Sequence, residues 1–186
     1  FIYWRTHNET LTLTELSLDF NLSANAVKFR FLHAPLVGDV SIHESHGNVV
    51  VMVTTVCSVH RLLFPHPSRL SQREYVQADT TLPSVFTDAS VVRAQDPAHS
   101  HYINQSGQTY MALTSATWLG NNGNATYAMA TTSGVVLLIK LPPLGIQGIV
   151  SQVELKHSSV MQRLWTGLVP QLIRGGGAEG NISQSL

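Results

Sequence analysis

Between Ser115 and Leu141 the chain reads SATWLGNNGNATYAMATTSGVVLLIKL, and its apolar and polar positions fall into three short runs. Ser115–Leu119 is long enough for one strand. Gly120-Asn121-Asn122-Gly123 is a turn, because Asn and Gly tolerate the positive φ that tight hairpins require. Ala125–Thr131 alternates small or polar with larger apolar residues, the period-two pattern of a half-buried strand. Ser133-Gly134 is a second turn, and Val135–Leu141 is rich in β-branched residues suited to a central strand. Three antiparallel strands need something to cover their faces. Repetition of such units is how a β-propeller is built, and the chain is expected to be a partial propeller of the all-β class.

The same plan occurs upstream. Val40–Glu44, the turn Ser45-His46-Gly47-Asn48, Val49–Thr54 and then Cys57–Phe64 predict strand, turn, strand, turn, strand. Phe64-Pro65 ends this copy and Leu141-Pro142 ends the other; Gly47 and Gly123 lie 76 positions apart. Before it, Phe1–Thr6 and Thr10–Leu18 predict a pair around a His7-Asn8-Glu9 turn. Leu11 and Leu13 fall on one parity and Leu16 and Leu18 on the other, so a bulge near Thr14-Glu15 is expected. Ala26–Leu32 alternates Val27, Phe29 and Phe31 with Lys28 and Arg30, a strand with one wet face. His66–Gln108 is irregular: Val85-Phe86 and Ser90–Ala94 suggest short strands, Thr109–Leu113 the start of the next unit, and the rest loop.

After Pro142-Pro143 and Gly145, Ile149–Leu155 predicts one more strand. The period then changes. Val160, Met161, Leu164, Trp165 and Leu168 recur at helical spacing, and Ser159 with Gln162 has the form of a capping box. Gly167 and Pro170 limit this helix to about two or three turns, over roughly 159–168. Residues 1–174 are therefore read as incomplete propeller blades with a short helical insertion, and 175–186 as a flexible Gly/Ser-rich tail.

Charge narrows the function. Lys+Arg and Asp+Glu both number 11, so no overall basic balance marks a nucleic-acid partner; Arg61, His66 and Arg69 form the densest basic group. The single cysteine, Cys57, excludes an internal disulfide framework and is read as a structural thiol within a strand. Five N-x-[ST] triplets, at Asn8, Asn21, Asn104, Asn124 and Asn181, would suit a secreted glycoprotein fragment, although an Asn-rich chain generates them by chance. The chain has no run of eighteen apolar residues, no signal-peptide layout and no initiator methionine, and is expected to be a piece of a longer chain without membrane insertion.

Candidate chemistry is sparse. Among nine histidines, His43 and His46 flank a turn and His99 and His101 alternate in a loop, with no third ligand in reach. No nucleophile elbow, phosphate-binding glycine loop or carboxylate pair occurs. No catalytic, cofactor-binding or metal-binding residue is assigned. Trp118 and Tyr127 are read as packing between units, and Tyr3 and Trp4 as pointing to opposite faces of their strand.

Four stretches are more specific: FIYWRT at the start, VHRLLFPHPSR at 59–69, SVFTD at 84–88 and VELKHSSVMQRLWTG at 153–167. Together they resemble the amino-terminal propeller of the large Y-complex (outer-ring) scaffold nucleoporins, from Phe1 to about Arg174; Gly175–Leu186 departs from that pattern. The resemblance implies a scaffold of the nuclear pore complex at the nuclear envelope, not an enzyme. It implies a large hetero-oligomer with other Y-complex nucleoporins as partners, no cofactor, no direct nucleic acid, and support of nucleocytoplasmic transport and mRNA export. It also matches VELKHSSVMQRLWTG to a helical insertion, which makes Met161, Leu164 and Trp165 candidate packing or partner contacts. The alternatives are a generic propeller interaction module, a propeller enzyme, or the glycoprotein fragment.

Overall fold

A computed structural model describes residues 1–16, 25–45, 47–66, 86, 99–104 and 109–155. They form three antiparallel sheets, each a meander in chain order. The first holds β1 (Ile2–His7), β2 (Thr10–Glu15) and β3 (Asn25–Arg30). The second holds β4 (Ser41–Ser45), β5 (Asn48–Thr54), β6 (Ser58–Pro65) and β7 (Ser100–Tyr102). The third holds β8 (Ala112–Leu119), β9 (Ala125–Thr131), β10 (Val136–Leu141) and β11 (Ser151–Leu155).

In the first sheet the alternation seen in sequence becomes two chemically distinct faces. Leu11 and Leu13 are fully buried, Ile2, Trp4, Val27, Phe29 and Phe31 pack beside them, and Tyr3, Arg5, Lys28 and Arg30 face outward. Asn8 turns the β1–β2 hairpin at φ 52°, a left-handed conformation that Asn tolerates. The bulge expected near Thr14-Glu15 is not there. Pairing of β2 with both neighbours is regular as far as Glu15, and Leu16 still exchanges both backbone bonds with Phe1, so Leu16 keeps the outward parity of Thr12 and Thr14 and is 43% exposed. A register shift occurs instead in β8 between Ala112 and Thr114, and it turns Leu113 outward.

β5 explains why a continuous apolar run was needed. Val49, Val51 and Val53 join Leu62 and Phe64 in the core shared with the first sheet, while Val50 and Met52 join Val59 in the core shared with the third. A strand buried on both faces has no polar parity to display. Gly47 and Gly123 hold equivalent hairpin turns at φ 70° and 78°, so the 76-position repeat is a repeat of structure.

Two expectations are corrected here. Ser100–Tyr102, read as loop within His66–Gln108, pairs with β6 as the fourth strand of the second sheet. Cys57 sits in the β5–β6 turn and not in a strand; its amide is held by the Thr55 hydroxyl at 3.3 Å. Phe86 lies outside every strand and sets its ring edge-on against Phe64 at 5.5 Å between centroids. Val85, Ser90–Ala94, the helix about 159–168 and the tail lie outside the described residues.

Candidate functional site

The seam between the second and third sheets concentrates the buried polar chemistry. Arg61 on β6 is 1% exposed, although its strand neighbours are apolar. Its Nη1 donates to the carbonyl oxygens of Gly123 (2.9 Å) and Pro142 (2.7 Å), and its Nε donates to Nδ1 of His99 (3.2 Å). The guanidinium of one sheet thus ties down the β8–β9 turn and the end of β10 in the next. A charged donor strengthens such bonds, and burial makes leaving them unmade costly. Burial lowers the Arg61 pKa, with a smaller opposing effect from Tyr127.

Beside it, Tyr127 on β9 is fully buried and donates its hydroxyl to the His60 carbonyl at 2.7 Å. Burial raises the phenol pKa strongly, and proximity to Arg61 opposes this only in part. Near the inner strands, Ser41 and Thr117 share a hydroxyl hydrogen bond of 2.7 Å. At the outer strands, His101 Nε2 meets Gln152 Oε1 at 2.8 Å, and Gln152 Nε2 donates to the Ile103 carbonyl at 3.2 Å. Tyr110 donates to Glu154, which raises its pKa, and Asn104 brackets the Tyr110 backbone from both ends. The seam is therefore stitched from its inner to its outer edge.

At one rim of this seam His43, Glu44, Ser45, Leu119, Gly120 and Asn121 line an open, mostly polar cavity of about 410 Å³. Glu44 pairs with His66 at 3.5 Å, and His43 Nε2 lies 3.1 Å from Ser41 Oγ. Among the described residues no three His, Cys, Asp or Glu side chains converge as metal ligands do, and no helix is long and apolar enough to cross a membrane.

The sequence-predicted candidates fare unevenly. Met161, Leu164 and Trp165 lie outside the described residues. The Arg61, His66 and Arg69 group is not a surface patch, because Arg61 is buried in the seam and His66 faces Glu44; Arg69 is not described. Tyr127 packs between sheets as expected, whereas Trp118 is 46% exposed on the far face of the third sheet. The clamp itself was missed. Its one signal is the run Val59-His60-Arg61-Leu62-Leu63-Phe64, apolar on both parities around a single cation, which places Arg61 in a buried strand.

Three meander sheets packed through shared cores, the second and third also stitched by hydrogen bonds, are consecutive units of one repeating architecture, and comparison with known proteins identifies it. The sequence matches the family model "Nucleoporin Nup120/160, beta-propeller domain" over residues 1–186. The chain belongs to the Nup120/160 nucleoporin β-propeller family. It is similar to "Nuclear pore complex protein Nup160" of Mus musculus, 44% identical over 177 residues that make up 94% of this chain and 13% of the mouse protein. The Homo sapiens protein of the same name is 43% identical over 177 residues, covering 94% of this chain and 12% of its own length. The Drosophila melanogaster Nup160 homolog is 45% identical over 65 residues, 35% of this chain and 4% of its own length. The chain thus spans about an eighth of the mouse and human relatives. Within this family its three sheets are propeller blades, and Arg61 is an inter-blade clamp.

Proposed function

We propose that this chain contributes blades to the propeller of an outer-ring (Y-complex) scaffold nucleoporin at the nuclear envelope. Its work is structural and not catalytic: it presents loops and blade rims to neighbouring nucleoporins in a large hetero-oligomer. Through that assembly it supports nucleocytoplasmic transport, including mRNA export. The observation that carries this reading is identity of 43–44% across 94% of the chain to proteins named as nuclear pore complex components. The stitched seam between the second and third blades supports it, since a scaffold needs blades that hold a fixed angle.

Affinity purification of the endogenous full-length protein, followed by mass spectrometry, tests the reading. Outer-ring nucleoporins are expected among the recovered proteins, and an unrelated set of partners would sink it. Residues 159–168 are proposed as a helical insertion whose Met161, Leu164 and Trp165 anchor packing or a partner, because their spacing puts all three on one helix face. Changing the three together to Ala in the full-length protein should lower recovery of at least one outer-ring subunit. Unchanged recovery and unchanged stability would remove that role.

A further inference from the structure

The sequence contains a single Asn-Gly pair, Asn122-Gly123, and it lies in the turn between β8 and β9. In such a pair the backbone amide of the second residue attacks the side chain of the first more readily than elsewhere, because glycine has no Cβ to keep its nitrogen away. The fold divides the two partners. Asn121 and Asn122 are exposed to water, whereas Gly123 is buried against the seam. The group open to attack is wet, and the group that would attack it is held.

The bonds that hold it differ in strength. Gly123 N donates to the Gly120 carbonyl at 2.8 Å, and Gly120 N donates to the Asn124 carbonyl at 2.9 Å, which closes the turn. The Asn122 Oδ1 accepts from Asn124 N at 3.2 Å, so its carboxamide reaches past Gly123 to the next residue. These bonds are local to an exposed turn, where opening needs little free energy. The Gly123 carbonyl is different: it accepts from Arg61 Nη1 at 2.9 Å. Arg61 is buried and also grips the Pro142 carbonyl and His99, so this bond yields only when the seam does.

We propose that Asn122 is a site of succinimide formation and conversion to isoaspartate, and that the Arg61 clamp sets its rate. The Gly123 nitrogen attacks Asn122 Cγ. The N–Cγ bond forms, the Cγ–Nδ2 bond breaks, and Nδ2 leaves as ammonia together with the Gly123 amide proton. Water then opens the cyclic imide. Opening at Cγ gives aspartate; opening at the Asn122 main-chain carbonyl gives isoaspartate, whose main chain runs through the former side chain. To attack, Gly123 N must leave the Gly120 carbonyl and turn toward Cγ, and that rotation draws the Gly123 carbonyl off Arg61. The isoaspartyl chain is longer by a methylene, so the turn no longer keeps both bonds, and conversion releases the clamp that delayed it. The new carboxylate also adjoins Asn121, which lines the rim cavity with Glu44, and so adds like charge there.

The test is timed incubation of the full-length protein in mildly alkaline buffer, with peptide mapping by mass spectrometry and labelling by protein isoaspartyl methyltransferase. Label is expected at Asn122 ahead of the other asparagines of residues 1–186. Arg61→Met should speed its appearance about tenfold, the weight of one hydrogen bond from a charged donor. Tyr127→Phe removes a bond of the same seam but none at the turn, and should leave the rate as in the parent. If Arg61→Met does not fold, the parent is compared with itself: conversion in denaturing urea should be at least roughly tenfold faster than in the native state. Label spread evenly over the asparagines would overturn the proposal, as would aspartate without isoaspartate at position 122. So would a parent-like rate in Arg61→Met, an equal acceleration in Tyr127→Phe, or equal rates in native buffer and urea.

Discussion

Arg61 shows how little of a residue's role its type announces. In sequence it is the centre of a basic group; in the fold its guanidinium caps two carbonyls of the next blade. Arg61→Met keeps much of the side-chain volume but strands the Gly123 and Pro142 carbonyls in a dry seam. That substitution should lower stability by about 2–4 kcal/mol, read from urea unfolding, and Arg61→Lys should recover only part because it lacks the fork. Tyr127→Phe removes one buried donor from the His60 carbonyl and should cost about 1–2 kcal/mol in the same assay. The phenol also makes stability fall in alkali. Its folded pKa is raised above the unfolded value of about 10, so its contribution is complete below pH ~10 and declines above it. The slope is about 1.4 kcal/mol per pH unit for one proton, and Tyr127→Phe should flatten the stability curve above pH 10 by that share. An unchanged slope would mean that the phenol ionises while folded.

At the scale of elements, most strands were legible because alternation and β-branched runs are local signals. Val27, Phe29 and Phe31 against Lys28 and Arg30 is such a signal, and so is the Gly-Asn-Asn-Gly hairpin. β7 was not legible, because Ser100-His101-Tyr102 has no apolar parity; its pairing with β6 and the His101–Gln152 bond come from elsewhere in the chain. Leu16 misled for a different reason: it stays paired with Phe1 on the outward parity, and an exposed Leu on a regular strand looks in sequence like a core residue displaced by a bulge. The candidate site was less legible than the fold, because a seam is a relation between blades that sequence separates by 62 and 81 positions at Arg61 alone. The hairpin glycines allow a sharper check. A Cβ on Gly123 (φ +78°) would stand 3.0 Å from Leu144 Cγ, whereas one on Gly134 (φ +73°) would meet nothing within 4 Å. Both Ala substitutions carry the left-handed backbone cost of about 1–2 kcal/mol. Gly123→Ala should lose more than Gly134→Ala by roughly a further 1 kcal/mol, because Leu144 must move. Equal losses in thermal unfolding would show that Leu144 yields freely.

The described residues form a stack of three sheets whose two outer faces differ in chemistry, and that difference bears on how the 186-residue chain behaves alone. The first blade ends in basic and threonine side chains, which water solvates well. The third blade ends in Ala116 and Trp118 of β8, Ala128 and Ala130 of β9, Val136 and Leu138 of β10 and Val153 of β11, which the registers place on one face. This face is the equivalent of the Ser41, Val50, Met52 and Arg61 face by which the second blade grips the third, with Leu138 standing where Arg61 does. Trp118 and Val153 are 46% and 47% exposed there. An apolar sheet face of this kind left open drives association. The isolated chain is therefore expected to self-associate at micromolar concentration, and Trp118→Arg with Leu138→Arg to return it to monomer in sedimentation velocity. Both positions project away from the stitched seam, so the double variant should keep its unfolding midpoint. If it sediments as the parent does, association runs through another surface, the free β1 edge being the next to block.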